Sequence, residues 1–339
     1  MSIQPALFAL PPAPPAASLK ARGAVFTRQA VVDFMLDLVG YTPDRPLHRL
    51  RLLEPSFGGG RFVVAAAGRL VAAWRAAAAP GDDSALDGAI RAVEVDPATF
   101  DAFRVELPRS LRRAGLPELS AQRIARSWLV NEDFLFGGSD GEFDFIVGNP
   151  PYVRQENMPP GTLARCRAEF ATMVGRADLY VPFFERGLGL LAPGGRLSFI
   201  CADAWTKNDY GRELRRLVAG RFALRTYVDM YGVDAFESEV GAYPSVTVIE
   251  RGAPGPVAIA RATSADAVHL AALARSLGRA APRAHSETAA PRATSEAAGS
   301  RGSERERADG IVLGGEAGVE DGTGGEVAHP GRGGGPWLL

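Results

Sequence analysis

Short and long apolar stretches alternate between residues 23 and 251 of the chain. The short ones are rich in branched and aromatic residues, and they predict strands at 47–55, 89–97, 126–134, 143–151, 196–205, 224–232 and 244–251. In the longer ones, apolar residues recur at helical spacing, which predicts helices at 61–79, 98–104, 180–195 and 210–220. This alternation is typical of a mostly parallel sheet that is covered by helices on both faces.

The two ends of the chain differ in character from this central part. Residues 1–20 are rich in proline and alanine and predict a flexible leader. A short helix is predicted at 265–280, but Trp337 is the only aromatic residue after Arg251. Because such a segment buries too little apolar surface to offset its ordering entropy, we expect residues 252–339 to form a mostly disordered tail. Residues 21–251 are then the folded domain.

Composition and charge exclude several classes of protein. The net charge of −1 gives no general attraction to nucleic acid, so any basic surface must be local. Cys166 and Cys201 form no spaced pair and the four histidines are scattered, so we expect neither a metal site nor a histidine-based catalytic triad. Neither a signal peptide nor a membrane-spanning run is apparent, which predicts a cytoplasmic protein without membrane contact.

Glycine and acidic residues stand where the first three strands end. Gly58 and Gly60 follow the first strand and allow a ligand to approach the backbone closely. Glu94 ends the second strand, where an acid can accept hydrogen bonds from both hydroxyls of a ribose. Asp133 follows the third strand and can accept from the amine of an adenine whose ring lies on Phe134. Taken singly, these residues also fit an ordinary turn, a solvated acid and a helix cap with a core phenylalanine.

The fourth strand ends in the sequence Asn149-Pro150-Pro151-Tyr152, a rigid corner between a polar and an aromatic side chain. The Asn149 side-chain carbonyl and the Pro150 backbone carbonyl can together hold both hydrogens of one amino group. The lone pair of that nitrogen is then exposed as a nucleophile. Tyr152 offers a face on which a planar base can stack. The motif therefore indicates chemistry at the amino group of a planar base.

From about Val25 to Arg251, these motifs resemble the S-adenosylmethionine-dependent adenine-N6 DNA methyltransferases of restriction–modification systems. The resemblance implies a Rossmann-like class I methyltransferase fold with a mostly parallel seven-stranded sheet, with this catalytic domain spanning residues 21–251 and no metal. It implies that the cofactor is bound by Thr27, Glu54, Pro55, Ser56, Gly58, Gly60, Glu94, Asp133 and Phe134. It also implies that Asn149, Pro150, Pro151 and Tyr152 form the catalytic motif and that Tyr152 and Phe236 stack on the target base. Two positions depart from the family: Arg28 stands where proline is usual, and Phe57 is bulkier than the usual residue.

The implied activity is methylation of adenine N6 in DNA, as the modification part of a restriction–modification or related defence system. DNA and a separate specificity or restriction subunit are the expected partners, since neither a C-terminal recognition domain nor a nuclease motif is apparent. Three alternatives remain open: a glutamine methyltransferase of release factors, an RNA adenine methyltransferase, and a non-catalytic fragment of a larger modification protein. Glu54-Pro55-Ser56, in place of an Asp-Leu-Gly-type loop, favours the DNA enzyme over the glutamine enzyme.

Overall fold

The computed structural model describes residues 25–77, 82–138, 141–238 and 243–280, together with a two-residue strand at 327–328. The predicted leader at 1–20 and most of the predicted tail after residue 280 lie outside these described residues. The described ranges include the glycine loop at 55–60, the predicted strand ends at Glu94 and Asp133, and the motif at 149–152.

The described strands form a single sheet in the order β3-β2-β1-β4-β5-β7-β6-β8-β9. Their bounds are β1 Leu52–Glu54, β2 Ile90–Glu94, β3 Leu129–Asn131, β4 Phe143–Gly148, β5 Leu191–Ala202, β6 Ala223–Asp229, β7 Pro244–Glu250, β8 Val257–Arg261 and β9 Val327–Ala328. Strand β7 runs antiparallel to β5 and β6, and β9 runs antiparallel to β8, while the other neighbours are parallel. The predicted mostly parallel sheet is confirmed, although it has more strands than the seven expected.

Helices cover both faces of this sheet. Their bounds are α1 Gln29–Val39, α2 Arg61–Ala76, α3 Pro97–Arg113, α4 Glu118–Trp128, α5 Pro160–Glu169, α6 Tyr180–Gly189, α7 Ala204–Lys207, α8 Arg212–Arg221 and α9 Ala267–Ala280. Helices α1–α4 and α9 contribute to one buried apolar cluster, and α5–α8 contribute to a second. The adjacent strand residues Leu52 and Leu53 belong to different clusters, because successive side chains of a strand point to opposite faces.

Two predicted elements around the third strand were wrong in extent. The predicted strand at 126–134 begins as the last turn of α4, and only Leu129–Asn131 pair with β2. Helix α3 continues past the predicted end at Arg104 and includes Pro108. It continues because Phe103, Leu107 and Leu111 recur at a spacing of four and are buried together, which outweighs the hydrogen bond that proline removes.

The predicted domain boundary at Arg251 was also wrong. Strand β8 pairs in parallel with β6, and helix α9 places Leu270, Ala274 and Leu277 in the same buried cluster as α1. These elements contain no aromatic residue, but small aliphatic side chains suffice when an existing sheet edge and helix supply the rest of the core. The fold therefore extends at least to Ala280.

A substitution in α9 tests its contribution to the fold. Leu270 is 1% exposed and Val268 on the same helix is 76% exposed. Leu270→Ala should lower the free energy of unfolding by about 2–4 kcal/mol, since it leaves a cavity in the core. Val268→Ala should change it by less than about 0.5 kcal/mol. Urea unfolding of both variants measures the difference, and equal midpoints would mean that α9 does not belong to the cooperative fold.

Candidate active site

A cavity of about 190 Å³ lies at the carboxyl ends of β1, β2 and β4, where ligands bind in open α/β sheets. The predicted site residues that line it are Thr27, Pro55, Ser56, Gly58, Glu94, Asp133, Phe134, Asn149 and Pro151. The predicted site residues that do not line it are Glu54, Gly60, Pro150, Tyr152 and Phe236. Lining residues not predicted from the sequence include Phe26, Leu179 and Phe183. Their apolar character is the same as that of core residues, so the sequence contains no signal that separates them.

The glycine loop after β1 forms one wall of the cavity. Gly58 and Gly60 have φ angles of 49° and 78°, a left-handed conformation that favours glycine. A Cβ atom on Gly59 would lie 3.0 Å from a ring carbon of Phe26, so this ring covers the loop closely. Phe57, the bulky substitution relative to the family, packs in the core with its ring centroid 4.9 Å from that of Phe103.

Substitutions at Gly60 and Gly88 test how closely the glycine loop packs against Phe103. A Cβ atom there would lie 2.0 Å from Cε2 of Phe103, whereas a Cβ on Gly88, which has a similar φ of 70°, would meet nothing within 4 Å. Gly88→Ala should lower the free energy of unfolding by about 1–2 kcal/mol, the cost of a left-handed non-glycine residue. Gly60→Ala should add an overpacking cost of about 1–3 kcal/mol. Thermal unfolding of the two variants isolates the clash, and equal losses would contradict this packing.

Glu94 is held rigidly at the end of β2. One of its carboxylate oxygens accepts a hydrogen bond from the Gly58 amide and the other accepts from the Asp96 amide, each at 2.9 Å. Each carboxylate oxygen has two lone pairs, so both can accept a further hydrogen bond from a ligand hydroxyl. Glu94 thereby connects the glycine loop to the part of the cavity where we predicted a ribose.

Glu54 lies beneath the loop rather than on the cavity wall. Its Oε1 accepts a hydrogen bond from the Ser56 amide at 3.3 Å, and its buried Oε2 has no hydrogen-bond partner. Burial raises the pKa of Glu54 well above its usual value, and the charge of Glu94 raises it further. A Cβ atom on Gly148 would lie 2.5 Å from Oε1, so the glycine that ends β4 makes room for this carboxyl.

Asp133 and Phe134, which follow β3, form another part of the cavity wall. The Asp133 carboxylate accepts a hydrogen bond from the Leu135 amide at 2.9 Å, and this bond stabilises a turn, not the start of a helix that the sequence also allowed. Burial raises the pKa of Asp133. The buried Phe134 ring packs against Phe183 of α6, with 5.1 Å between centroids. Both residues combine a structural role with a position on the cavity.

The side-chain amide of Asn149 has one atom, Oδ1, that makes no hydrogen bond within the protein. Its Nδ2 donates hydrogen bonds to the Val25 carbonyl at 2.9 Å and to Oγ1 of Thr27 at 3.2 Å. Its Oδ1 is buried and has no hydrogen-bond partner. Because both amide hydrogens are used, Asn149 offers a buried acceptor to a ligand that can donate.

Tyr152 and Phe236 are neighbours, as their shared predicted role requires. Their ring centroids are 6.0 Å apart with an interplanar angle of 80°, and the Tyr152 hydroxyl donates to the Ile200 carbonyl at 3.3 Å. Burial raises the pKa of Tyr152 well above its usual value. The rings contact each other edge to face, so a base can lie against both only if one of them moves.

Residues 25–28, which we term the entry segment, connect the cavity to the segment around Phe236. The Arg28 amide donates to the Ala235 carbonyl and the Glu237 amide donates to the Phe26 carbonyl, each at 2.9 Å. Arg28, which replaces the family's usual proline, also donates through Nε to the Phe236 carbonyl at 3.0 Å and pairs with Asp234. These contacts connect residues more than 200 positions apart, so no local sequence pattern predicts them.

The strand order and the cavity at the carboxyl edge define the Rossmann-like class I methyltransferase fold. Residues 104–236 match the model of the Eco57I restriction-modification methylase family. The chain therefore carries a methylase domain of the Eco57I restriction–modification type.

Two type II methyltransferases are similar to this chain over most of its length. M.PaeR7I of Pseudomonas aeruginosa is 52% identical over 257 residues, which cover 76% of this chain and 45% of the relative. M.XhoI of Xanthomonas vasicola is 50% identical over 247 residues, which cover 71% and 44%. This chain thus spans less than half the length of these two relatives. The solved type IIG restriction endonuclease BpuSI shares the fold, with 17% identity, a TM-score of 0.58, and coverage of 78% of this chain and 30% of that one.

Every helix in the described ranges is too short or too polar to cross a bilayer. The same ranges contain no group of three or more His, Cys, Asp or Glu side chains that could hold a metal ion.

Proposed function

We propose that this chain transfers a methyl group from S-adenosylmethionine to the N6 amino group of adenine in DNA, as the modification activity of a restriction–modification system. The observation that carries this proposal is the buried, unpartnered Oδ1 of Asn149 at a cavity that also holds acidic and aromatic side chains. An acceptor without a partner in a buried site selects a ligand group that donates, and an amino group does so.

The residues around the cavity suit S-adenosylmethionine. The Glu94 carboxylate suits the two ribose hydroxyls, Asp133 and Phe134 suit the amine and ring of the adenine, and the loop 55–60 leaves room for the methionine part. When bound, this cofactor supplies a methyl group on a positively charged sulfur, which an amine can attack.

The protein residues act mainly by positioning the substrate amine. Oδ1 of Asn149 and the Pro150 carbonyl accept its two hydrogens, so that the nitrogen lone pair is directed along the line of attack. Tyr152 provides the face on which the base stacks. Attack by the nitrogen would break the bond between the methyl group and the sulfur and leave S-adenosylhomocysteine. The methylated nitrogen would then lose one proton to water, so a strong base such as histidine is not required. A base inside a duplex cannot reach this site, so the target adenine must leave the stack.

Two observations support DNA over the alternative substrates. The first is that the two relatives which share about half of the aligned residues with this chain are type II methyltransferases. The second is the pair of aromatic rings of Tyr152 and Phe236, because either ring can stack on a flat base, whereas the side chain of glutamine has no ring to stack. We further propose that selection of a particular DNA sequence requires a DNA-reading domain or a separate specificity subunit. We also propose that the protein acts in the cytoplasm.

A substrate competition tests the proposal. Tritiated S-adenosylmethionine is incubated with the chain and with equal amounts of duplex DNA, RNA of the same sequence, and a release factor. We expect label in the DNA, and none in a control duplex whose adenines already carry N6-methyl groups. Label in the RNA or in the release factor would overturn the assignment of the substrate.

A further inference from the structure

We infer that Thr27 is a positioning residue, which acts with the Val25 carbonyl to fix the orientation of the Asn149 amide, so that Oδ1 and not Nδ2 faces the substrate amine. This inference rests on the proposed function. It differs from the role that the family resemblance implies for Thr27, which is a contact to the cofactor.

The hydrogen bonds of Nδ2 define the orientation. The two acceptors, the Val25 carbonyl at 2.9 Å and the Thr27 hydroxyl at 3.2 Å, match its two hydrogens. The Val25 carbonyl can only accept, so turning the amide over would place Oδ1 against another acceptor. The Thr27 hydroxyl holds the second hydrogen, which would otherwise be left unpaired beside a residue that is only 3% exposed.

The orientation decides what the site can recognise. With Oδ1 towards the cavity, Asn149 accepts a hydrogen from an amino group. With Nδ2 towards the cavity, two donors would face each other and the substrate nitrogen would lose one of the contacts that direct its lone pair. An asparagine side chain can adopt either orientation with little change in shape, so the selection must come from its neighbours.

The neighbours themselves are fixed from two sides. The entry segment pairs with residues 235–237, and its Phe26 ring covers Gly59 of the glycine loop. The backbone of Thr27 also pairs with that of Phe236 in an isolated antiparallel β-bridge, and Phe236 is the residue expected to contact the target base. The segment that orients the acceptor is therefore attached both to the cofactor loop and to the base pocket.

The first test reads the amide directly. The chain contains four asparagines, so selective ¹⁵N-asparagine labelling gives few side-chain amide signals, and the Asn149 pair is identified by its loss in Asn149→Asp. Thr27→Val is close to isosteric but removes the acceptor, and Thr27→Ser keeps it. We expect the Asn149 amide protons to exchange with solvent about tenfold faster in Thr27→Val, as one lost hydrogen bond would produce. Thr27→Ser should behave like the parent, and unchanged exchange in Thr27→Val overturns the inference.

The second test reads the consequence for the reaction. Thr27→Val should lower the turnover number for DNA methylation by about 10- to 100-fold, with little change in cofactor affinity, and Thr27→Ser should restore turnover. A loss of cofactor affinity without a loss of turnover would show that Thr27 serves the cofactor and overturn the inference. If the parent chain shows a protected Asn149 amide but methylates no DNA, the proposed function fails, while the exchange data still decide the role of Thr27.

Discussion

Asn149→Ala should lower methyl transfer to DNA by about 100- to 1000-fold, the usual effect of removing a preorganised polar contact from a reacting centre. The buried Oδ1 is the atom expected to hold the substrate amine, and alanine has no acceptor. The affinity for S-adenosylmethionine should stay within about twofold, because the lost contact is made to the substrate and not to the cofactor. Turnover is measured with tritiated cofactor and affinity by calorimetry.

Asn157→Ala provides the matched control. Asn157 is an exposed asparagine in the short 3₁₀ turn Gln155–Asn157, just after the motif at 149–152, and its loss should leave turnover unchanged. The melting temperature of Asn149→Ala must also be recorded, because this substitution removes the bonds to Val25 and Thr27. Near-parental turnover in a folded Asn149→Ala variant would refute the role of Asn149.

Glu94→Ala should weaken binding of S-adenosylmethionine by about 1–3 kcal/mol, the value of hydrogen bonds to a charged group. Two effects act together here. The substitution removes the proposed acceptor for the ribose hydroxyls, and it releases the Gly58 and Asp96 amides that now donate to the carboxylate. The glycine loop should therefore become less ordered as well as less able to bind the cofactor.

Asp101→Ala separates this effect from a general loss of negative charge. Asp101 is an exposed acid on α3, where it pairs with Arg104. Its replacement should leave cofactor affinity unchanged in the same calorimetric titration. Equal affinities for the parent and Glu94→Ala would mean that the cofactor does not bind at the end of β2.

The sequence predicted which residues meet at the cavity, but it did not predict the hydrogen bonds between them. The strand ends at Gly58, Glu94, Asp133 and Asn149 meet around one cavity because parallel strands end at the same edge of a sheet. This result requires only the alternation of elements and the position of each residue at a strand end. Such information is local and is present in the sequence.

Contacts between distant segments were not predictable in the same way. The bond between Asn149 and Thr27 joins residues 122 positions apart, and the bond between Arg28 and the Phe236 carbonyl joins residues 208 apart. Their pairing depends on how the entry segment crosses the sheet edge, which no periodicity encodes. The missed strand β8 has a related cause, because a short aliphatic stretch becomes a strand only when β6 is available to pair with it.

The most direct test of the proposed activity identifies the methylated atom. Unmethylated duplex DNA is incubated with S-adenosylmethionine and a stoichiometric amount of the purified chain, digested to nucleosides, and analysed by mass spectrometry against authentic standards. We expect N6-methyldeoxyadenosine as the product with the parent and its absence with Asn149→Ala. Methylated deoxycytidine, or no methylated nucleoside from a parent chain that binds the cofactor, would contradict the proposed activity.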